Sequence, residues 1–358
     1  QQLQLTYQDN GEIDDLMKNQ KSWGWVLHAF TGVHAELKNM VAVDEDALKQ
    51  AVESLSCMQP ENMQAPQDAC VSATDDGYAV IPEEQGTTLE EEKVIDGIRQ
   101  ALVNGETVCD LDAADCYAKP QILQDNADLQ AQADAINQKL SASLTMDFGT
   151  DRQEMLDKTT LKDWVVQAED GSYAIDEAEV TASVAGLAQK YDTVDSERSF
   201  TTTSGSTVTL TPGDYGWKID QNSTTANLLD AINNGTQGAF EIVYLATAMS
   251  REANDIGSSY VELSLSDQHF WVYMDGKQVL DSAVVTGCMN KGTQTPKGVY
   301  KVKGKTTDYT MRGTKNASGN WSYEVHCNYW IPFAAENTIG FHDLVTRSDW
   351  SSTAYINN

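Results

Sequence analysis

Two residue types in this chain could carry covalent chemistry: six cysteines and five histidines. A thiol is a useful nucleophile at neutral pH only as a thiolate, and an imidazole within hydrogen-bond reach is a common way to form one. The reaction such a pair supports is acyl transfer through a thioester. The cysteines fall into three sets: Cys57 and Cys70, Cys109 and Cys116, Cys288 and Cys327. None forms a Cys-x-x-Cys, and no histidine stands at metal-ligand spacing from them, so neither zinc nor any other cofactor is expected. The sequential pairing, Cys57–Cys70, Cys109–Cys116 and Cys288–Cys327, keeps each bridge within one stretch of chain. It implies an oxidising, extracytoplasmic compartment. On that reading Cys288 and Cys327 are disulfide partners rather than nucleophiles. His269 and His326 sit in alternating, strand-like segments and read as half-exposed structural residues. His342 taken alone reads the same way. No Gly-x-Ser-x-Gly elbow and no glycine-rich phosphate loop occurs, and the carboxylates are too scattered to nominate an acid–base pair.

The chain that must position these groups has 358 residues, enough for two or three domains, with 41% hydrophobic and 8% aromatic residues. No run approaches the ~18 apolar residues of a membrane span. The opening Gln1-Gln2-Leu3-Gln4-Leu5 has neither the basic nor the apolar region of a signal peptide, so any export signal or anchor is expected upstream. With 54 acidic against 24 basic residues the formal charge is −30. Such a chain repels phosphate backbones and anionic bilayers, which excludes nucleic acid as a partner.

A repeat occupies the first two thirds. Leu5-Thr6-Tyr7 recurs as Leu144-Thr145-Met146, Leu16-Met17 as Met155-Leu156, and Trp25-Val26 as Trp164-Val165. Val43-Asp44 followed by Leu48, Val52 and Leu55 matches Ile175-Asp176 followed by Val180, Val184 and Leu187. Each Asp predicts a helix N-cap, and the apolar spacing predicts one buried helix face. A second helix closes each copy, with Gly105 and Gly235 where a left-handed residue would end it. Strands are expected at Tyr78-Ala79-Val80, Thr207–Leu210 and Tyr215-Gly216-Trp217. Each copy is thus an α+β module of about 100 residues. The polar segment from Gln121 to Ser143 reads as a helical spacer. The expected organisation is module 1 over 1–122, a connector over 123–143, module 2 over 144–250 and a β-rich domain over 251–358. The two modules have a binding or spacing character, since paired weak sites gain through effective concentration.

From Tyr260 the texture is dense β-strand. Val261, Leu263 and Leu265 alternate with polar residues, Phe270-Trp271-Val272-Tyr273 follows, and Asp275-Gly276 before Val279-Leu280 and Ala283-Val284-Val285 signals a hairpin. Thr295-Pro296-Lys297-Gly298 predicts a turn before a strand at Val299–Val302. A sandwich-like or barrel-like domain is expected here.

Five ordered blocks in this region resemble the L,D-transpeptidase catalytic domain: Gln268–Tyr273, Val284–Gly287, Lys291–Tyr300, Tyr329–Phe333 and Ile339–Asp343. The repeated modules resemble the peptidoglycan-binding domain that precedes it in many Gram-positive wall proteins. The resemblance implies a cell-wall enzyme that crosslinks peptidoglycan stem peptides by cysteine acyl-enzyme chemistry and is sensitive to carbapenems. In that family a histidine is followed, about 14 to 17 residues on, by Ser/Thr-His-Gly-Cys-x-Asn. His342 matches the histidine, the backbone around Asp343 would orient its ring, and the cysteine is expected beyond Asn358, so residues 1–358 alone are expected to be inactive. Tyr329, Trp330, Phe341, Phe333 and Trp350 are candidates to line the cleft or to fill the core, and Arg312 to meet a stem-peptide carboxylate. The rival reading is a non-catalytic peptidoglycan-binding or structural wall protein that keeps the scaffold.

Overall fold

The fold is given by a computed structural model that describes residues 5–7, 9, 11–19, 41–149, 151–252, 254–344 and 347–357. The Trp25-Val26 half of one repeat match lies outside the described residues. The chain is α+β and divides into two compact units, residues 1–137 and 138–358.

In the first unit β1 (Leu5–Tyr7) pairs antiparallel with β2 (Val41–Val43), with α1 (Glu12–Asn19) between them in sequence. α2 (Glu45–Glu53) starts at Asp44, whose carboxylate accepts the Ala47 N–H at 3.1 Å. The apolar face follows: Leu48 and Val52 pack with Leu89, Val94 and Cys116 in one core. β3 (Cys70–Thr74) and β4 (Gly77–Ile81) form a hairpin, and α3 (Glu91–Asn104) ends at Gly105 with φ +73°, the left-handed stop. The segment expected to be a spacer carries α4 (Ala127–Leu140), which buries Ala133, Ile136 and Leu140. Its Asn137 amide accepts the Tyr78 N–H at 2.9 Å and donates to the Tyr78 carbonyl at 2.7 Å. It therefore fills core rather than spanning solvent.

The second unit opens with the repeat. β5 (Ser143–Asp147) lies between β6 (Gln153–Leu156) and the parallel β12 (Gln237–Phe240). After α5 (Lys158–Asp163), β7 (Val165–Gln167) and β8 (Tyr173–Ile175) lead to α6 (Glu177–Tyr191). Asp176 caps α6 by accepting the Ala178 N–H at 2.8 Å, and Val180 and Val184 are buried as Leu48 and Val52 are in the first copy. β9 (Arg198–Thr201) and β10 (Thr207–Leu210) form a hairpin, β11 (Lys218–Ile219) pairs with β13 (Tyr244–Ala246), and α7 (Gln221–Asn233) precedes Gly235 at φ +62°. Tyr215–Trp217, expected as a strand, is instead a loop, because its groups serve a buried ion pair.

That pair is Arg198 with Asp255, whose side chains are 8% and 5% exposed. The guanidinium donates to Asp255 through Nε at 2.7 Å and Nη2 at 2.8 Å, and to the carbonyls of Thr193, Ser196 and Tyr215. The Thr193 hydroxyl donates to the same carboxylate at 2.6 Å, and the Tyr215 hydroxyl to the Asp255 carbonyl at 2.8 Å. Gly216 must be glycine: its φ is +146°, and a Cβ would lie 2.7 Å from Arg198 Nη2. Burial pushes the Asp255 carboxyl up, but Arg198 and Thr193 outweigh it and hold it below the usual carboxylate range.

Beyond this seam β14 (Tyr260–Ser264), β15 (His269–Met274) and β16 (Lys277–Ala283) form an antiparallel meander. Asp275 and Gly276 take φ +47° and +75°, the paired positive values the Asp-Gly signal predicts. A second meander is β17 (Thr306–Arg312), β18 (Glu324–Ala334) and β19 (Ile339–His342), and α8 (Ala354–Asn357) follows. The Val299–Val302 segment joins neither sheet. Its groups bond sideways, Val299 O to Tyr215 N and Lys301 N to the Asp214 carboxylate.

All six cysteines are thiols in this structure. The expected sequential bridges are thus not formed. Cys288 Sγ faces the Ile356 carbonyl at 3.6 Å while Cys327 Sγ donates to Tyr309 O at 3.3 Å, so the two point to different elements. Cys57 and Cys70 are both exposed, one in a 3₁₀ turn and one on β3. Cys109 and Cys116 are neighbours, each 3.6 Å from where a Cβ on Gly97 would lie, but remain unbridged.

Removing one partner of a buried ion pair strands the other. Arg198→Ala or Asp255→Ala is expected to destabilise the second unit by about 3–5 kcal/mol, and a paired apolar replacement, Arg198→Met/Asp255→Leu, to recover much of it. Because the folded-state pKa of Asp255 is lowered, its contribution is fully present above about pH 4 and is lost as pH falls through the folded value. Thermal unfolding of the three variants and of the wild type across pH 3–6 measures both effects.

Candidate active site

β18 is the middle strand of its sheet, and register places Thr306, Trp330 and His342 in one row across β17, β18 and β19. His342 ends β19 with an exposed ring. Its Nδ1 lies 3.1 Å from the backbone carbonyl of Asp343. A carbonyl only accepts, so this bond puts the proton on Nδ1 and leaves the Nε2 lone pair free. Trp330 is 7% exposed, with its ring centroid 6.1 Å from the imidazole and stacked on Tyr309 at 5.4 Å. The histidine is thus an outward-facing base on a rigid aromatic footing.

Asp343 contributes through its backbone. Its carboxylate accepts the Tyr329 N–H at 2.8 Å and the Asn328 amide at 2.6 Å. The Tyr329 N–H holds the carboxyl below its ordinary range, with burial opposing and Asn328 adding to the effect. Engaged in this way, the carboxylate staples β19 to β18 and thereby fixes the carbonyl that orients His342.

The other candidates separate. Tyr329 is 61% exposed beside this cluster. Phe341 packs on Phe270 and Phe333 with centroids at 5.7 and 5.2 Å, so it fills the space between the two meanders rather than a cleft, and Phe333 also meets Tyr300. Trp350 is exposed, its indole N–H donating to Arg347 O at 3.2 Å. Arg312 pairs with Glu324 at 3.3 Å at the far end of β17. It is six steps along the strand from Thr306 in the His342 row, roughly 20 Å, so the structure does not bring it to the site. His269 lies 3.9 Å from Asp281 and His326 lies 3.7 Å from Asp308, so both rings face carboxylates. Burial, then the negative charge of Asp343, pushes the Cys327 thiol up, which opposes formation of a thiolate there. Sequence reasoning missed Asn328 and Tyr309, whose roles depend on cross-strand register, and Gln268. The last is 2% exposed at φ +49° and uses its amide to hold Leu265 O, Thr286 Oγ1 and Thr286 N. Among the described residues no group of three or more His, Cys, Asp or Glu side chains could hold a metal ion.

Comparison with known proteins identifies the domains. The family model described as "Putative peptidoglycan binding domain" matches residues 21–109 and 128–241, and that of the L,D-transpeptidase catalytic domain matches residues 258–357. The chain therefore belongs to the L,D-transpeptidase family in which peptidoglycan-binding domains precede the catalytic domain. Among solved structures, the Ldtfm–avibactam carbamoyl enzyme is 27% identical, with 64% of this chain and 86% of that one covered and a TM-score of 0.50. A cysteine-to-serine mutant of the Enterococcus faecium L,D-transpeptidase is 27% identical over 63% of this chain and 86% of that one, with a TM-score of 0.49. The E. faecium catalytic domain acylated by ertapenem is 34% identical over 28% of this chain and 74% of that one, at a TM-score of 0.24. No curated protein sequence matches significantly.

Two measurements test the site. Nitrogen-15 NMR of the imidazole at neutral pH is expected to show the Nδ1–H tautomer for His342; an Nε2–H tautomer contradicts the assigned hydrogen bond. In Asp343→Ala the Tyr329 amide loses its acceptor, and its hydrogen exchange is expected to rise about tenfold, for a charge-assisted bond of ~1.5 kcal/mol.

Proposed function

We propose that this enzyme crosslinks peptidoglycan outside the cytoplasm by cysteine acyl-enzyme chemistry, with His342 as general base. The observation that carries this is the His342 ring, its Nδ1 held by the Asp343 carbonyl and its Nε2 left open. The nucleophile is the cysteine of the family's Ser/Thr-His-Gly-Cys-x-Asn motif, which by its spacing from His342 would follow Asn358. His342 Nε2 takes the thiol proton as sulfur attacks a stem-tetrapeptide carbonyl. The same imidazolium returns that proton to the departing amine, leaving a thioester. An acceptor amine then attacks the thioester, loses its proton to His342 and restores the thiol, which gives a crosslink; water in its place gives hydrolysis. Asp343 acts in positioning, and Trp330 lies beside the ring. Carbapenems would inhibit it by acylating the same thiol. The two peptidoglycan-binding modules hold the wall. No described helix is long and apolar enough to cross a membrane.

A chain carrying the Ser/Thr-His-Gly-Cys segment after Asn358 is expected to form crosslinks from purified stem peptides and a one-to-one carbapenem adduct by intact mass. In it His342→Ala should lower the rate by the ~10²–10⁴ of a lost general base. Residues 1–358 alone should form no adduct. An adduct on those residues would return the nucleophile to Cys288 or Cys327 and overturn this reading.

A further inference from the structure

The acidity of the chain stops at one place. Residues 291–315 carry Lys291, Lys297, Lys301, Lys303, Lys305, Arg312 and Lys315 against the single acid Asp308, in a chain of net charge −30 with only 24 basic residues. All seven cations are exposed. Lys303 pairs with Asp214 at 2.6 Å and Arg312 with Glu324, while Lys291, Lys297, Lys301 and Lys305 form no ion pair with a described residue. Solubility does not explain this segment, since in a chain so negative added lysines lower the net charge that keeps it dispersed.

The fold places the segment beside the candidate active site. Lys301, Lys303 and Lys305 lie on a stretch that runs directly into β17, an edge strand of the sheet that carries His342. Lys303 N donates to the Pro332 carbonyl at 2.9 Å, and Pro332 pairs in register with Gly340. Lys305 immediately precedes Thr306, which shares the His342 row. Two strand spacings, roughly 10 Å, separate that edge from the histidine. The second module holds the stretch in place. Asp214 accepts the Lys301 N–H at 3.2 Å and binds the Lys303 ammonium, and Gly213 admits Val299 so closely that a Cβ would lie 2.0 Å from its carbonyl oxygen.

We propose that this lysine-lined sheet edge is the docking surface for the carboxylates of peptidoglycan stem peptides, drawing an anionic substrate to His342 against the repulsion of the rest of the chain. The inference rests on the peptidoglycan reading above and adds where, and by which charge, the polymer is received. Stem-peptide carboxylates are fixed, repeated anions on a polymer, so even screened surface lysines act together, and the attraction fades with salt as the Debye length falls to about 10 Å at 0.1 M.

The test is co-sedimentation of the full 358-residue chain with insoluble sacculi stripped of phosphodiester polymers, and with the same sacculi whose carboxyls are capped as methylamides. The expected result is salt-sensitive binding to uncapped sacculi that Lys301→Glu/Lys305→Glu weakens roughly tenfold, the lower end of what focused fields give. Capping should abolish the difference between wild type and variant. Lys277→Glu/Ser318→Glu/Asn320→Glu, which changes net charge equally at exposed positions outside both modules, should bind as the wild type does. Equal binding by the Lys301/Lys305 variant, an equal loss in the control variant, or binding that requires the phosphodiester polymers overturns the docking surface and leaves the peptidoglycan reading standing. A wild type that pellets with no sacculus overturns both.

Discussion

One guanidinium, sealed from water at the end of a short hairpin, decides how the second half of this protein is built. Arg198 cannot shed its charge, so its burial demands acceptors on every side, and it finds them in Asp255 and three backbone carbonyls. Each acceptor belongs to a segment that would otherwise be a free loop. Thr193 follows α6, Tyr215 sits in the loop before β11, and Asp255 begins the approach to β14. The pair thereby turns the boundary between binding module and catalytic domain into shared interior, where Phe200, Tyr215 and Ile256 pack with Tyr260 and Val299.

The consequences run outward from that seam. With the loop around Tyr215 fixed, Gly213 and Asp214 receive the stretch from Val299 to Lys303, which leads into β17. β17 backs β18, β18 pairs with β19, and the Asp343 carboxylate closes the end of β19 onto Tyr329 and Asn328. The imidazole of His342 is thus positioned by a chain of contacts that starts in the module beside it. The module thereby braces the sheet that carries His342.

Much of this was legible in the sequence, and the limits have physical causes. Helix caps and faces are local, so Asp44 and Asp176, Leu48 and Val180, Gly105 and Gly235 could be read from spacing alone, and the structure bears them out. The Asp-Gly hairpin is equally local. Tyr215–Trp217 and Val299–Val302 failed as strands because β-propensity describes a pleated, half-buried surface, whereas these backbones are consumed by Arg198 and Asp214, residues far away in sequence. The spacer failed similarly: the polarity of Gln121–Ser143 masked three buried positions on one helix. At the candidate site, the Gly-Phe-His-Asp context nominates His342, whose ring is exposed at the end of β19. Arg312 was placed there by charge alone, and register, which sequence does not reveal, puts it at the other end of the strand.

The central claim is that the second module and the catalytic sheets form one cooperative body through the Arg198–Asp255 seam. Native-state hydrogen exchange on the whole chain addresses it directly. The account predicts that the slowest amides of α6, β14 and β18 share one opening free energy and one denaturant dependence. Independent opening of β17–β19 at clearly lower free energy, with α6 still protected, would contradict it.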